Sequence, residues 1–268
     1  MIYDYNGNIL SDPFDGNMEL DYAYDSATGA NYSVIRVFKT KRDGTKQYPF
    51  VRCPGRMAAS AFAASEGWAL AINSGLGVSS SQPIDGVAIE NGVVVYDNPA
   101  TYHAGSIPLT IDANGDLGTA AADATGASLI ASNTVSNGVI TSGIVSAVCG
   151  FCTIIDNFAA VQSFPTVSNV SHFTENAQRQ IIGQWGNGDY AIVTCAGRSL
   201  ENSDGWTLAE AQAVCIKLGL KFAYNLDGGK SVSTYLRKKP VWDFQAGTTR
   251  IVPTFIVFNG SDKYSIPT

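Results

Sequence analysis

The chain has 268 residues, of which 15% are charged and 45% hydrophobic, and its formal net charge is −6. This excludes a disordered chain, and the length suffices for one large domain or two small ones with a well-buried core. The acidic balance argues against non-specific nucleic-acid binding, which needs clustered Lys and Arg, and no apolar run approaches bilayer-spanning length.

In chain order, MIYDYNGNILSDPFDG at the N-terminus has neither the basic nor the apolar part of a secretory signal. The expected location is therefore the cytoplasm, or a virus particle into which the chain assembles. Residues 1–55 read as an N-terminal extension or first strands, with YSVIRVFKT (32–40) a clear β signal. The Ala-rich run 56–67 predicts a helix closing on Gly67. WALAIN (68–73), GVAIENGVVVY (86–96) and IPLTID (107–112) are strand signals, with hairpin turns at ENG (90–92) and ANGD (113–116). Residues 117–150, rich in small and polar residues, give no assignment.

The five cysteines, an odd and sparse set, read as free thiols. CGFC (149–152) lies among apolar residues with no second pair or nearby His, so it reads as core. YAIVTCAG (190–197), LKFAYNLD (220–227) and RIVPTFIVF (250–258) are further strands. Between them, 207–220 predicts a helix, with Thr207 and Glu210 at capping-box spacing and Gly219 suited to its end. Its apolar stripe is Leu208, Ala211, Val214, Cys215 and Leu218. Together these elements predict an α+β protein: a strand-rich, mixed layered sheet with a few flanking helices, in one compact unit.

Both helix–strand units end alike. The first delivers Asn73 to a strand end before a Gly-containing loop, and the second delivers Asn225 and Asp227 before Gly228 and Gly229. Strand ends with Gly-rich loops are where layered α/β sheets gather ligand groups, because glycines admit close approach and positive φ. Asp227 therefore reads as a presented carboxylate. The following GGKS imitates a P-loop tail, but Tyr224 stands where that pattern needs Gly. His103 and His172 have no metal-like spacing and read as loop or core residues.

NLDGGKSVST (225–234) resembles the NLDGGGSST signature of the phosphodiester glycosidases, the family related to N-acetylglucosamine-1-phosphodiester α-N-acetylglucosaminidase. AINSG (71–75), RQIIG (179–183), VTCAGR (193–198), GWTLAEA (205–211) and RIVPT (250–254) are similar, in order, to that family's other elements. Three departures stand out: Lys230 for Gly, Ser74 for Gly, and Cys195–Ala196 where the family carries an acidic residue and its neighbour. Residues 1–60 match none of its elements.

The resemblance implies hydrolysis of the bond between a sugar's anomeric carbon and a phosphodiester oxygen, on a glycan or cell-wall-type polymer. Asp227 would be nucleophile or base, and Arg179 and Arg198, with Lys230, would hold phosphate. The two arginines would keep Asp227 ionised by lowering its pKa. Asn73 and Asn225 would hold sugar hydroxyls or the carboxylate, and Gly228, Gly229 and Ser231 would offer donors. No cofactor is expected. A divalent cation on Asp227 stays open, although no cluster of carboxylates or histidines demands one. The partner is a carbohydrate phosphodiester or glycan, with no nucleic acid and no membrane, and homo-oligomer or virion assembly stays open. Two other readings stand beside it: a non-catalytic carbohydrate-binding or phage-tail module, and a phosphodiesterase cutting at phosphorus.

Overall fold

The structure, a computed structural model, describes residues 17–66, 68–78, 84–169, 173–242 and 250–258, and the backbone of 2–3 and 9–10. Gly67 and His172 lie outside the described residues.

Alternation along the central strands sets the layers. In strand Arg179–Gln184, Ile182 enters a core shared by two sheets, while its neighbour Ile181 packs on the opposite face with Leu208 and Val214. Strand Leu70–Asn73 does the same: Leu70 and Ile72 face the shared core, and Ala71 faces Phe62 and Phe255. Successive strand side chains point to opposite faces, so a run buried throughout requires cover on both sides. Helix Leu208–Lys217 covers one outer face and helix Ala59–Glu66 the other.

The larger sheet has seven antiparallel strands, in the order Ala159–Ala160, Cys152–Asp156, Phe222–Asn225, Arg179–Gln184, Tyr190–Cys195, Ala30–Val37 and Met18–Asp25. A five-stranded sheet runs Lys239–Pro240, Thr234–Leu236, Leu70–Asn73, Phe255–Phe258 and Phe50–Arg52. Another five-stranded sheet centres on Ile144–Cys149. Residues 18–52 thus supply strands to the two main sheets. The unassigned stretch 117–150 holds strand Leu117–Thr119, helix Gly126–Ile130, the hairpin Thr134–Ser136 with Val139–Ser142, and strand Ile144–Cys149. Its small polar residues sit in exposed turns, which carry no hydrophobic period to read.

The capping box forms as spaced: Thr207 Oγ1 accepts from Glu210 N at 3.2 Å, and Glu210 Oε2 accepts from Thr207 N at 2.7 Å. Gly219 follows at φ +69°, the left-handed end expected of it. Residues 250–258 form two strands rather than one. Pro253 separates Ile251–Val252, paired with Met57–Ala58, from Phe255–Phe258. Cys149, Cys152 and Cys215 are free and buried, and burial pushes each thiol up to about 12, so these are packing residues, inert at neutral pH.

Candidate active site

The ends of the two helix–strand units abut. Asp227 N donates to Ser74 O at 3.0 Å, and Asn73 Nδ2 donates to Asp227 O at 2.6 Å. Asn73 Oδ1 in turn accepts from Ser233 N at 2.9 Å, so one buried amide ties down both ends of the Asp227 loop. Asn73, expected to hold sugar hydroxyls or the carboxylate, bonds to backbone through Nδ2 and Oδ1 and has no exposed surface. Asn225 is likewise fully buried and donates to Leu226 O at 3.0 Å. Asn73 fastens the loop, whereas the Asn225 Oδ1 atom is buried without a hydrogen-bond partner among the described residues.

Ser74, one of the departures from the family elements, meets Thr254 here. Ser74 Oγ donates to Thr254 Oγ1 at 3.0 Å, and Gly75 N donates to the same oxygen at 2.8 Å. Thr254 Oγ1 thus serves both residues, and Gly75 is required because a Cβ would stand 2.5 Å from that oxygen.

Over this junction lies a cavity of about 270 Å³ with Asp227 in its wall. Arg179, Arg198, Lys230 and Arg250 line it, together with His103, and Phe151, Phe173 and Leu76 give it an apolar side. Among the described residues lining it, Asp227 is the one carboxylate. Arg198, Lys230 and Arg250 are exposed at the mouth, whereas Arg179 is buried in the wall. Arg179 Nε donates to Trp206 O at 2.8 Å and Nη2 to Glu175 O at 2.9 Å, carbonyls that fix the fork. Burial, with Arg198 nearby, pulls it down to about 10, which leaves it a cation at neutral pH. Glycines permit this crowding: a Cβ on Gly197 would lie 2.7 Å from Gly205 Cα.

The electrostatics of Asp227 reverse the expectation. Burial pushes its carboxyl up to about 6 from the ordinary 3.8, against the hydrogen bonds of Ser231 and Gly228 N–H and the charges of Arg250 and His103. Desolvation outweighs the cations, and the cation acting most on Asp227 is Arg250 rather than the two expected arginines. Gly228 and Ser231 thus direct donors at the carboxylate itself. Gly229 N is engaged by Gln178 O at 2.9 Å, which corrects its reading as a donor for substrate.

Gly229 has φ +57°, and a Cβ there would lie 3.7 Å from Arg198 Nη1. Gly228 has an ordinary φ of −113°, but a Cβ would stand 2.9 Å from Gln178 O. Gly229→Ala is expected to lower stability by about 1 kcal/mol, or ~2–4 °C in Tm, and Gly228→Ala by at least as much; thermal melts check both.

Sequence reasoning missed His103, Arg250 and the two phenylalanines. Arg250 stood in plain view as the first residue of RIVPT, where it was read as the start of a strand. No local signal marked His103.

The profile of the phosphodiester glycosidases matches residues 66–259. The chain belongs to the phosphodiester glycosidase family. Its fold is similar to the catalytic domain of zebrafish N-acetylglucosamine-1-phosphodiester α-N-acetylglucosaminidase, which was solved auto-inhibited by its pro-peptide. The two share 14% identity over 91% of this chain and 82% of that one, with a TM-score of 0.65. A Synechocystis protein matches at 15% identity over 90% of this chain and 61% of its own, with a TM-score of 0.60. A Burkholderia pseudomallei K96243 protein matches at 13% identity over 86% and 74%, with a TM-score of 0.54. A search of curated proteins finds no match. Membership supports a glycosidic phosphodiester hydrolase activity in general. Among the described residues, no three His, Cys, Asp or Glu lie together as a metal site.

Proposed function

We propose that this phosphodiester glycosidase hydrolyses a sugar-1-phosphodiester on a glycan or cell-wall-type polymer, with Asp227 as its catalytic carboxylate. The observation that carries this reading is the charge arrangement of one cavity: among the described residues lining it, a single carboxylate, four Arg and Lys side chains, and an apolar wall beside them. When C1–O breaks, the phosphate gains negative charge, and fixed guanidinium groups favour that state over the ground state. Arg179, Arg198 and Arg250 supply the forks, and Lys230 a point charge at the rim. Phe151 and Phe173 suit the apolar face of a sugar ring.

Asp227 attacks C1 itself or takes the proton of the attacking water. Direct attack through a glycosyl-enzyme retains the anomeric configuration and attack by water inverts it, so the anomer of the released sugar, read by NMR, tells the two apart. The test uses a methyl phosphodiester of N-acetyl-α-glucosamine 1-phosphate in oxygen-18 water. Label on the sugar is the expected result. Label on phosphate would mean cleavage at phosphorus, and saturable binding without turnover would favour the carbohydrate-binding module.

A further inference from the structure

His103 lines the same cavity, and behind it lies Asp85, from a loop 18 residues away. Asp85 has no exposed surface and accepts four hydrogen bonds. Three come from the consecutive N–H groups of Thr101, Tyr102 and His103, at 2.9, 3.3 and 2.7 Å. The fourth partner is His103 Nδ1, at 2.8 Å. These bonds hold the Asp85 carboxyl down to about 2 despite its burial, so it is ionised and only accepts. Nδ1 must then carry a proton, which leaves Nε2 as the imidazole atom available to the cavity. The ring is held edge-on between Tyr102, at 4.8 Å between centroids, and Phe151, at 6.5 Å.

We propose that His103, oriented by Asp85, is the proton-transfer partner of Asp227, acting at the bridging oxygen of the leaving phosphate. This rests on the sugar-1-phosphodiester reading above. The group that leaves is a phosphate monoester, and a positioned imidazolium can protonate its bridging oxygen as the C1–O bond breaks. His103 enters the step as the imidazolium, protonated on both ring nitrogens; C1–O breaks as the Nε2 proton passes to the departing oxygen, giving the monoester monoanion and neutral His103. If Asp227 has bonded to C1, neutral Nε2 then takes a proton from the water that displaces it, which restores both groups. If Asp227 has instead taken the water's proton, the two groups return to their starting states by exchange with solvent. The buried Asp85 carboxylate stabilises the imidazolium in either case, as an orienting carboxylate does in a hydrolase triad.

The experiment is steady-state kinetics of His103→Ala and His103→Gln on the methyl phosphodiester of N-acetyl-α-glucosamine 1-phosphate, with thermal melts alongside. Expected are a fall in kcat of at least 100-fold in both variants, KM within threefold of wild type, and recovery of at least tenfold in His103→Ala on adding millimolar imidazole. A folded His103→Ala variant within threefold of wild-type kcat, or a loss that imidazole does not restore, overturns the proposal. If His103→Ala does not fold, His103→Gln decides alone, because glutamine keeps a donor for Asp85: kcat within threefold overturns the role. Wild type that leaves the diester intact overturns the function reading itself, an outcome distinct from an active enzyme indifferent to His103.

Discussion

Asp227→Asn is expected to reduce kcat on a sugar-1-phosphodiester by at least ~10³-fold while raising stability at neutral pH. The amide keeps the shape of the carboxyl, but it neither attacks C1 nor takes a proton. The stability gain follows from the same burial that tunes the acid. In the folded chain the carboxyl titrates at about 6 against an ordinary 3.8, so between those values the folded state binds the proton more tightly than the unfolded state does. Stability therefore falls as pH rises through this window, and the cost of the buried charge is fully present above it. Asn removes that slope. The gain at pH 7 is on the order of 1–3 kcal/mol, read as a higher Tm that no longer depends on pH between 4 and 6 at this site. The proposed role uses the ionised carboxylate, so kcat/KM should rise with pH through about 6. An Asn variant with most of its kcat, or one less stable than wild type at pH 7, would count against this role.

That pKa also marks where sequence reading stopped. Asp-Gly-Gly after a strand is often just a turn, so Asp227 stood out in the sequence chiefly through the ordered set of family-like elements around it. The helix cap, by contrast, was legible because Thr207 and Glu210 act over three residues. The direction of the pKa was not legible: sequence names a residue's charged neighbours, but not how deeply it sits among them. Asn73 and Asn225 looked like ligand groups because a strand-end amide reads the same whether it faces a sugar or the next loop. Here two strand ends from different sheets meet, and the Asn73 amide joins them, while Asn225 bonds to its own neighbour Leu226 O. His103 depends wholly on tertiary structure, since Asp85 reaches it by folding three consecutive N–H groups around one carboxylate. No spacing rule anticipates that arrangement, and a lone loop histidine is ordinarily a bystander.

Arg198→Gly is expected to reduce kcat/KM by at least ~10²-fold while leaving the fold as stable as wild type or up to ~1 kcal/mol more so. Arg198 has φ +56°, and Ser199, Glu201 and Asn202 follow at +65°, +54° and +50°. Left-handed backbone is costly for residues with a Cβ and persists only where the surroundings enforce it. Here Ser203 Oγ donates to Ala196 O at 2.9 Å, Asn31 Nδ2 to Glu201 O at 2.7 Å, and Ser199 N to Ser203 O at 3.0 Å. The loop so held brings the Arg198 guanidinium over Gly229, at the cavity mouth. Glycine at 198 relieves the left-handed strain but adds freedom to the unfolded chain, so the net gain is small. Arg198→Lys separates charge from geometry: it keeps the cation and the strain but loses the fork, and should cost more than about tenfold in kcat/KM. Melting each variant with and without inorganic phosphate reads the anion site directly, with the phosphate-induced rise in Tm expected to shrink in Arg198→Lys and further in Arg198→Gly. If Arg198→Gly keeps a third or more of wild-type kcat/KM, the strain at this loop serves something other than the phosphate. Loss of activity together with unchanged or higher stability is the signature of a residue held in a costly conformation for the sake of its ligand.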